Sequence, residues 1–214
     1  MANHVNSVIE FHKINDAAKA KLIEMMGRCR EQDYGRKWFA DMFVEGDLKY
    51  EDVEQYSWTT QHIGPKWCYI EEFDEDTLMI ITESAWSAPE EGVTKLVVDY
   101  LNKFDDKIVW SIKYEDEMPN FIGAYVYENA ECVDGAEDDD EDIRYMMFYR
   151  YPHLKEHWDE DNDEWQCDED GDMTEEAYEA EDEFRDQLFD WISERQDDLI
   201  NDALKSLEEE PAQD

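Results

Sequence analysis

The chain has 214 residues, with 60 acidic against 19 basic side chains, for a formal charge of −41 at neutral pH. Such a surface repels phosphate, which excludes direct nucleic-acid binding, and no run approaches the roughly 18–20 apolar residues of a membrane span. The charge also far exceeds the about 2–8 that keeps a small domain soluble, and it costs stability through self-repulsion, so it points to a basic protein partner or to cations.

Apolar matter is ample at 42% hydrophobic and 14% aromatic, enough for a real core. Val5, Ser7, Ile9 and Phe11 alternate with Asn6, Val8 and Glu10, a strand pattern. Asn15 or Asp16 then caps a predicted helix from Ala17 to about Cys29, with Ala18, Leu22, Met25, Met26 and Cys29 on one face. A second short helix is predicted over Lys37–Val44, and residues 45–66 read as loop, punctuated by Gly46, Gly64 and Pro65, with Tyr56 and Trp58 placed to cover the core. Trp67–Phe73 and Thr77–Ala85 read as two strands around an Asp74-Glu75-Asp76 turn. Pro89 fits the first turn of a helix running to about Phe104, where Glu90 and Glu91 complement its dipole. Ile108–Tyr114 and Phe121–Tyr127 read as strands joined by a turn around Met118-Pro119-Asn120.

This order is β-α-(α)-β-β-α-β-β, a split βαβ arrangement with one added strand. The expected class is α+β: a ferredoxin-like antiparallel sheet with helices on one face, followed by an acidic extension ending in a long helix. The division is expected at residues 1–133 and 134–214. The last stretch holds 33 acids against six bases, yet keeps Trp158, Trp165, Phe184, Leu188, Trp191 and Ile192. A disordered acidic tail is poor in such residues, so acid on the outside of something folded is expected. Arg144–Tyr151 is compatible with strand or helix. From Asp172 or Thr174 onward, Phe184, Leu188, Trp191 or Ile192, Leu199, Ala203 and Leu207 form one stripe of a long helix, fraying over Glu208–Asp214.

Three stretches resemble a known family, the ferredoxin-like proteins of phages and conjugative plasmids typified by the leading-region protein YubB. They are Asn3-His4-Val5-Asn6, Thr82-Glu83-Ser84-Ala85-Trp86-Ser87-Ala88-Pro89, and Tyr114-Glu115-Asp116-Glu117 followed by Gly123. The likeness covers roughly residues 1–130. It implies a ferredoxin-like domain encoded on a mobile element and expressed early after reaching a host. It brings no catalytic residues, and the acidic third departs from the family pattern.

Between Glu175 and Asp202 there are 12 acids. At about 1.5 Å per helical residue this is about one charge per 3.5 Å, against about 3.4 Å per phosphate along one DNA strand. The expected function is therefore a nucleic-acid mimic, a phage- or mobile-element-encoded inhibitor. It would fill the basic groove of a host nuclease, restriction or CRISPR-type effector. The row expected to make the contact is Glu179, Glu183, Asp186, Asp190, Glu194 and Asp197, flanked by Asp138, Asp139, Asp140, Glu141 and Asp142 and by Asp159, Asp161 and Asp163. The alternative is an acidic adaptor that uses Tyr145, Phe148, Tyr149 and Tyr151 as anchors, without phosphate imitation.

Other chemistry fits less well. Asp168-Glu169-Asp170-Gly171-Asp172 approaches a calcium loop, but with Gly171 sixth the first and twelfth positions are Gln166 and Ala177, where carboxylates are needed. His153, His157 and Cys167 lack a fourth zinc ligand at a fitting spacing. No phosphate loop, nucleophile elbow or zinc-protease motif occurs, so neither an enzyme nor a cofactor is expected. Cys29, Cys68, Cys132 and Cys167 are scattered without paired spacing, and the first residues lack a leader pattern. Reduced thiols in the cytoplasm of the bacterial host are expected. A homodimer would lengthen the acidic surface.

Overall fold

The structure, a computed structural model, describes residues 3–117 and 119–209. Strand β1 (His4–Lys13) buries Val5, Ser7, Ile9 and Phe11 and turns the alternate side chains outward. Helix α1 (Asp16–Met26) starts where Asn15 Oδ1 accepts the backbone N–H groups of Ala17 and Ala18, both at 3.0 Å. It stops at Met26 rather than Cys29, because Gly27 interrupts the helical run at its first poor helix former.

Of the short helix predicted over Lys37–Val44, Lys37–Trp38 is a strand and Phe39–Phe43 is helical in the tighter 3₁₀ form. β2 (Lys37–Trp38) pairs with the edge of the sheet through Trp38 and Tyr69, and Phe39–Phe43 forms a 3₁₀ turn buried along its whole length. A turn immersed on all sides has no solvent face from which to read an amphipathic period. Asp41, fully buried there, accepts hydrogen bonds from Arg30 N, Nε and Nη2 at 2.9–3.1 Å. The segment expected to be loop holds two short helices, α2 (Tyr50–Val53) and α3 (Tyr56–His62). Asp52 starts the first by accepting the Lys49 N–H at 3.0 Å, and Gly64 and Pro65 follow the second. Trp58 packs against the core, whereas Tyr56 is exposed.

Strands β3 (Cys68–Asp74) and β4 (Met79–Ala85) form a hairpin whose turn is set by Asp74 Oδ1 accepting the Asp76 N–H at 2.8 Å. Helix α4 (Glu90–Asp99) follows Pro89 and gives way to a 3₁₀ turn over Leu101–Lys103, short of the predicted Phe104. β5 (Val109–Asp116) and β6 (Phe121–Glu128) come next. Between them, the buried Asp116 accepts the Asn120 N–H at 2.7 Å; Met118, the first residue of the predicted turn, lies outside the described residues. A strand not foreseen, β7 (Glu131–Asp139), is reached through the two-residue link Asn129-Ala130, which requires it to run antiparallel to β6.

The sheet has seven strands in the order β2-β3-β4-β1-β5-β6-β7, with antiparallel neighbours. The passage from β1 to β3 and that from β4 to β5 each skip one strand. Helices cover both faces at β5 and β6, not one. Trp110, Ile112, Tyr114 and Tyr127 join the main core with Leu22 and Met25 of α1 and Leu96 and Val97 of α4. On the other side Val109, Ala124 and Val126 pack with Ile200 and Ala203. These strands are buried nearly continuously, so their pattern is a run rather than an alternation. Two glycines fix the close approaches. A Cβ on Gly123 would meet the Tyr114 ring at 2.3 Å, and one on Gly135, at φ +154°, would strike the Ala124 carbonyl at 2.4 Å.

The acidic part folds through α5 (Asp140–Arg150), α6 (Pro152–Lys155), the hairpin of β8 (Trp158–Asp159) and β9 (Glu164–Trp165), and α7 (Glu175–Glu209). The undecided Arg144–Tyr151 is thus mostly helical. The predicted fraying covers Glu208 and Glu209, which are helical, and residues 210–214, which lie outside the described residues. Two compact units result: the chain to Glu137 together with the chain from Leu199 onward, and Asp138–Asp198. The division thus falls after Glu137, a few residues beyond the one expected from composition, and the end of α7 belongs to the first unit.

Candidate partner-binding surface

All the acids singled out as flank and row belong to the second unit, Asp138–Asp198, which holds 26 acids against five bases, a net of −21. Its scaffold is a small aromatic cluster. Phe148, Leu154 and Ala180 are buried, with Tyr151, Trp158, Trp165 and Phe184 packed against them. The rings of Trp158 and Trp165 meet edge to face at 5.2 Å between centroids, and Phe148 and Phe184 at 5.9 Å. Such contacts fix ring orientation as well as burying area.

Helix α7 begins where Thr174 Oγ1 accepts the Ala177 N–H at 3.2 Å, with Glu175 and Glu176 in the favourable first turn. Glu179, Glu183, Asp186, Asp190, Glu194 and Asp197 are all exposed. At 3.6 residues per turn they fall within an arc of about 80°. Adding Glu175, Glu176 and Asp182 gives nine exposed acids, which lie within an arc of about 120° over about 33 Å of axis. The spacing on this face is then about 4 Å per charge, looser than the count around the whole helix but close to that of one nucleic-acid strand. Ala180, Leu188, Trp191 and Ile192 are buried, and the same helical geometry sets them on the opposite side.

Within the row, Glu183 lies 2.9 Å from His153 Nε2 and Glu194 lies 2.6 Å from Arg150 Nη1. Both pairs are substantially exposed, so they cost little to exchange for an outside cation.

The flanks divide. Asp138 is buried and bound to Arg195 Nε at 3.1 Å, so it is withdrawn from any outward surface. Asp139 caps α5 through the N–H groups of Glu141 and Asp142, each at 3.0 Å. Asp140, Glu141 and Asp142 are exposed on the first turn. Asp159, Asp161 and Asp163 sit in and around the β8–β9 turn. The Asn162 amide, then the backbone N–H groups of Asn162 and Asp161, hold the Asp159 carboxyl below its ordinary range. Asp161 is exposed, and Asp163 pairs with Arg144 Nη2 at 3.0 Å.

The aromatic anchors also divide. Phe148 is in the cluster, and the Tyr151 hydroxyl donates to Gln187 Oε1 at 3.1 Å. Tyr145 and Tyr149 are 71% and 82% exposed. They line a groove of about 590 Å³ together with Phe148, Trp158 and Pro152, and its charged lining is Glu141, Glu160 and Asp163 with Arg144 and Lys155. The sequence signal for this groove was the i, i+4 spacing of the two tyrosines, which becomes informative only once the segment is known to be helical.

Among the described residues no group of three or more His, Cys, Asp or Glu side chains is arranged to hold a metal ion. The calcium-loop-like segment is an Asx turn, with Asp168 Oδ1 accepting the N–H groups of Asp170 and Asp172 at 2.9 and 3.1 Å. In the first unit, Cys29 and Cys68 are buried, and burial pushes the Cys29 thiol up to about 12. Cys132 and Cys167 are exposed, one in each unit, and both thiols are raised by desolvation and then by neighbouring acids, Glu90 and Asp134 for the first and Glu164 and Asp168 for the second. Another cleft of the first unit, about 420 Å³, lies beside the exposed Trp86, whose φ is +68°, and Lys66, whose ammonium is 5.0 Å from the Tyr56 ring. Among the described residues no helix is long and apolar enough to cross a membrane. No family model, curated protein or solved structure matches the chain.

Proposed function

We propose that the protein is a nucleic-acid-mimic inhibitor, encoded by a phage or other mobile element and acting in the cytoplasm of its bacterial host. It would occupy the basic groove of a nucleic-acid-binding or defence protein. The observation that carries this reading is the one-sided row of exposed carboxylates on α7, opposite a buried face. The buried face leaves the outer side for charge, and nine acids share an arc of about 120° there although repulsion between them rises as they approach. A helical scaffold also fixes their separations, which is what a groove built for regularly spaced phosphates requires. The order β3-β4-β1-β5, with α1 and α4 in the two crossovers, supports a ferredoxin-like reading of the first unit, extended by β2, β6 and β7. That reading agrees with the resemblance carried by the first 130 residues.

The test is capture of basic proteins from host lysate by the whole chain, followed by challenge with duplex and single-stranded DNA. Association should weaken by orders of magnitude as salt rises from about 50 to about 200 mM, and DNA should displace the captured protein. Changing Glu179, Glu183, Asp186, Asp190, Glu194 and Asp197 together to Lys should abolish capture. Single changes should do little, because each exposed ion pair is individually small. If the sixfold variant captures and inhibits as the natural chain does, the row is not the binding surface.

A further inference from the structure

We propose that the groove beside α5 is a docking site for an extended, arginine-bearing segment of the basic partner, with guanidinium groups laid on the faces of Tyr145 and Tyr149. This rests on the mimicry reading only for the basic character of the partner. Glu141, Tyr145 and Tyr149 stand at i, i+4 and i+8, on one strip of α5. Isolated exposed rings on a protein surface need no explanation, but two rings on consecutive turns that line one groove with Phe148 and Trp158 make an apolar patch. Within the lining Arg144 pairs with Asp163 and Lys155 with Glu160, which leaves Glu141 beside the rings, and a patch of this kind inside a unit of net charge −21 attracts cations rather than neutral peptides.

The unit itself shows how a guanidinium settles on this surface. The Arg144 guanidinium carbon is 4.8 Å from the Trp158 ring centre while its Nη2 reaches Asp163 at 3.0 Å. Arg150 lies 5.6 Å from the Tyr151 ring centre while its Nη1 reaches Glu194 at 2.6 Å. Two of the unit's five basic side chains therefore rest on an aromatic face beside a carboxylate. Tyr145 with Glu141 one turn away presents the same pair of elements outward. Arginine suits it better than lysine, because its flat, weakly hydrated guanidinium stacks on a ring while its edge bonds a carboxylate. The spacing selects an extended chain: helix positions four apart are separated by about 6 Å along the axis, and alternate residues of a strand by about 6.6 Å. Arginines at every second position of one segment would reach successive rings.

The experiment uses a fluorescein-labelled 12-residue peptide alternating Arg and Gly, and its Lys-Gly counterpart, with the whole chain at physiological salt and anisotropy as readout. The natural protein should bind the Arg peptide about fivefold more tightly than the Lys peptide. The double variant Tyr145→Leu/Tyr149→Leu should lose that preference, and Tyr145→Phe/Tyr149→Phe should keep it. Both pairs change exposed side chains, and circular dichroism confirms that each variant is folded. Equal binding of the two peptides by the natural chain, an unchanged preference in the Leu variant, or a lost preference in the Phe variant each overturns the proposal. The sixfold α7 variant should weaken both peptides by the same factor. If it weakens neither, the mimicry row is refuted while the preference in the natural chain still stands or falls by the tyrosine variants.

Discussion

The two units solve opposite problems with the same amino acids. The first, with 34 acids against 14 bases, ties part of its charge down inside: Asp41 is enclosed and held by three donors of Arg30, and Glu24 and Glu45 share Arg28. Its core is broad, with Trp110, Phe39, Phe43, Leu22 and Leu96 fully buried. The second has five acids for every base and a core of a few rings, so its carboxylates mostly face water. The difference teaches that a surface may be kept electrostatically unsatisfied if a small, directional aromatic cluster holds its backbone in place. The unsatisfied charge is then available to a partner.

The sharpest break in this comparison comes from the cores. Trp110→Ala should cost about 4–5 kcal/mol of unfolding free energy in denaturant titration, because the ring is fully buried and stacked on Tyr127 at 4.2 Å. Phe148→Ala should cost about 3 kcal/mol, at the low end for a phenylalanine because its neighbours are only partly buried and can relax. Hydrogen exchange separates the two: Phe148→Ala should expose amides of α5 while leaving those of β5 protected. Equal loss in both would mean that the units unfold as one. Next in size, Arg195→Met leaves Asp138 buried without its cation and should cost about 1–3 kcal/mol, read as a lowered denaturation midpoint.

Salt gives a smaller effect of opposite sign. Raising sodium chloride from about 20 to about 500 mM screens repulsion among the acids and should raise the melting temperature by roughly 2–4 °C, equivalent to about 1 kcal/mol at this length. A fall instead would mean that paired charges outweigh repelling ones. The smallest effect is local. Asp159 should titrate below 3.8 by NMR and move up in Asn162→Ala. Its folded value is depressed, so its contribution is present above 3.8 and is lost as pH falls through the folded value.

Where one face of an element is wet, the chain could be read directly. The alternation of β1, the Asn15 cap and the stripe of α7 each carry a contrast between buried and exposed positions. The contrast vanishes where everything is buried, as in Phe39–Phe43, and there the pattern distinguishes neither the 3₁₀ form nor the strand that precedes it. β7 was missed for the converse reason: most of Glu131–Asp139 is exposed or half-buried and acidic, and its place is set by Gly135 against Ala124, a contact distant in sequence. The acidic row was legible because helical spacing alone defines a face. That Asp138 lies inside was not, since its burial depends on Arg195, 57 positions away. The tyrosine groove required knowing that α5 is a helix.

The cysteines have a practical consequence. Cys29 and Cys68 are shielded and disinclined to ionise, while Cys132 in one unit and Cys167 in the other face solvent. The natural chain therefore carries a ready donor–acceptor pair for fluorophores. Because desolvation and then neighbouring acids oppose thiolate formation at both sites, maleimide coupling should be driven in mildly alkaline buffer. Energy transfer between the two labels would then report whether the units change their separation when a cationic ligand is added, with no engineered residue in the molecule.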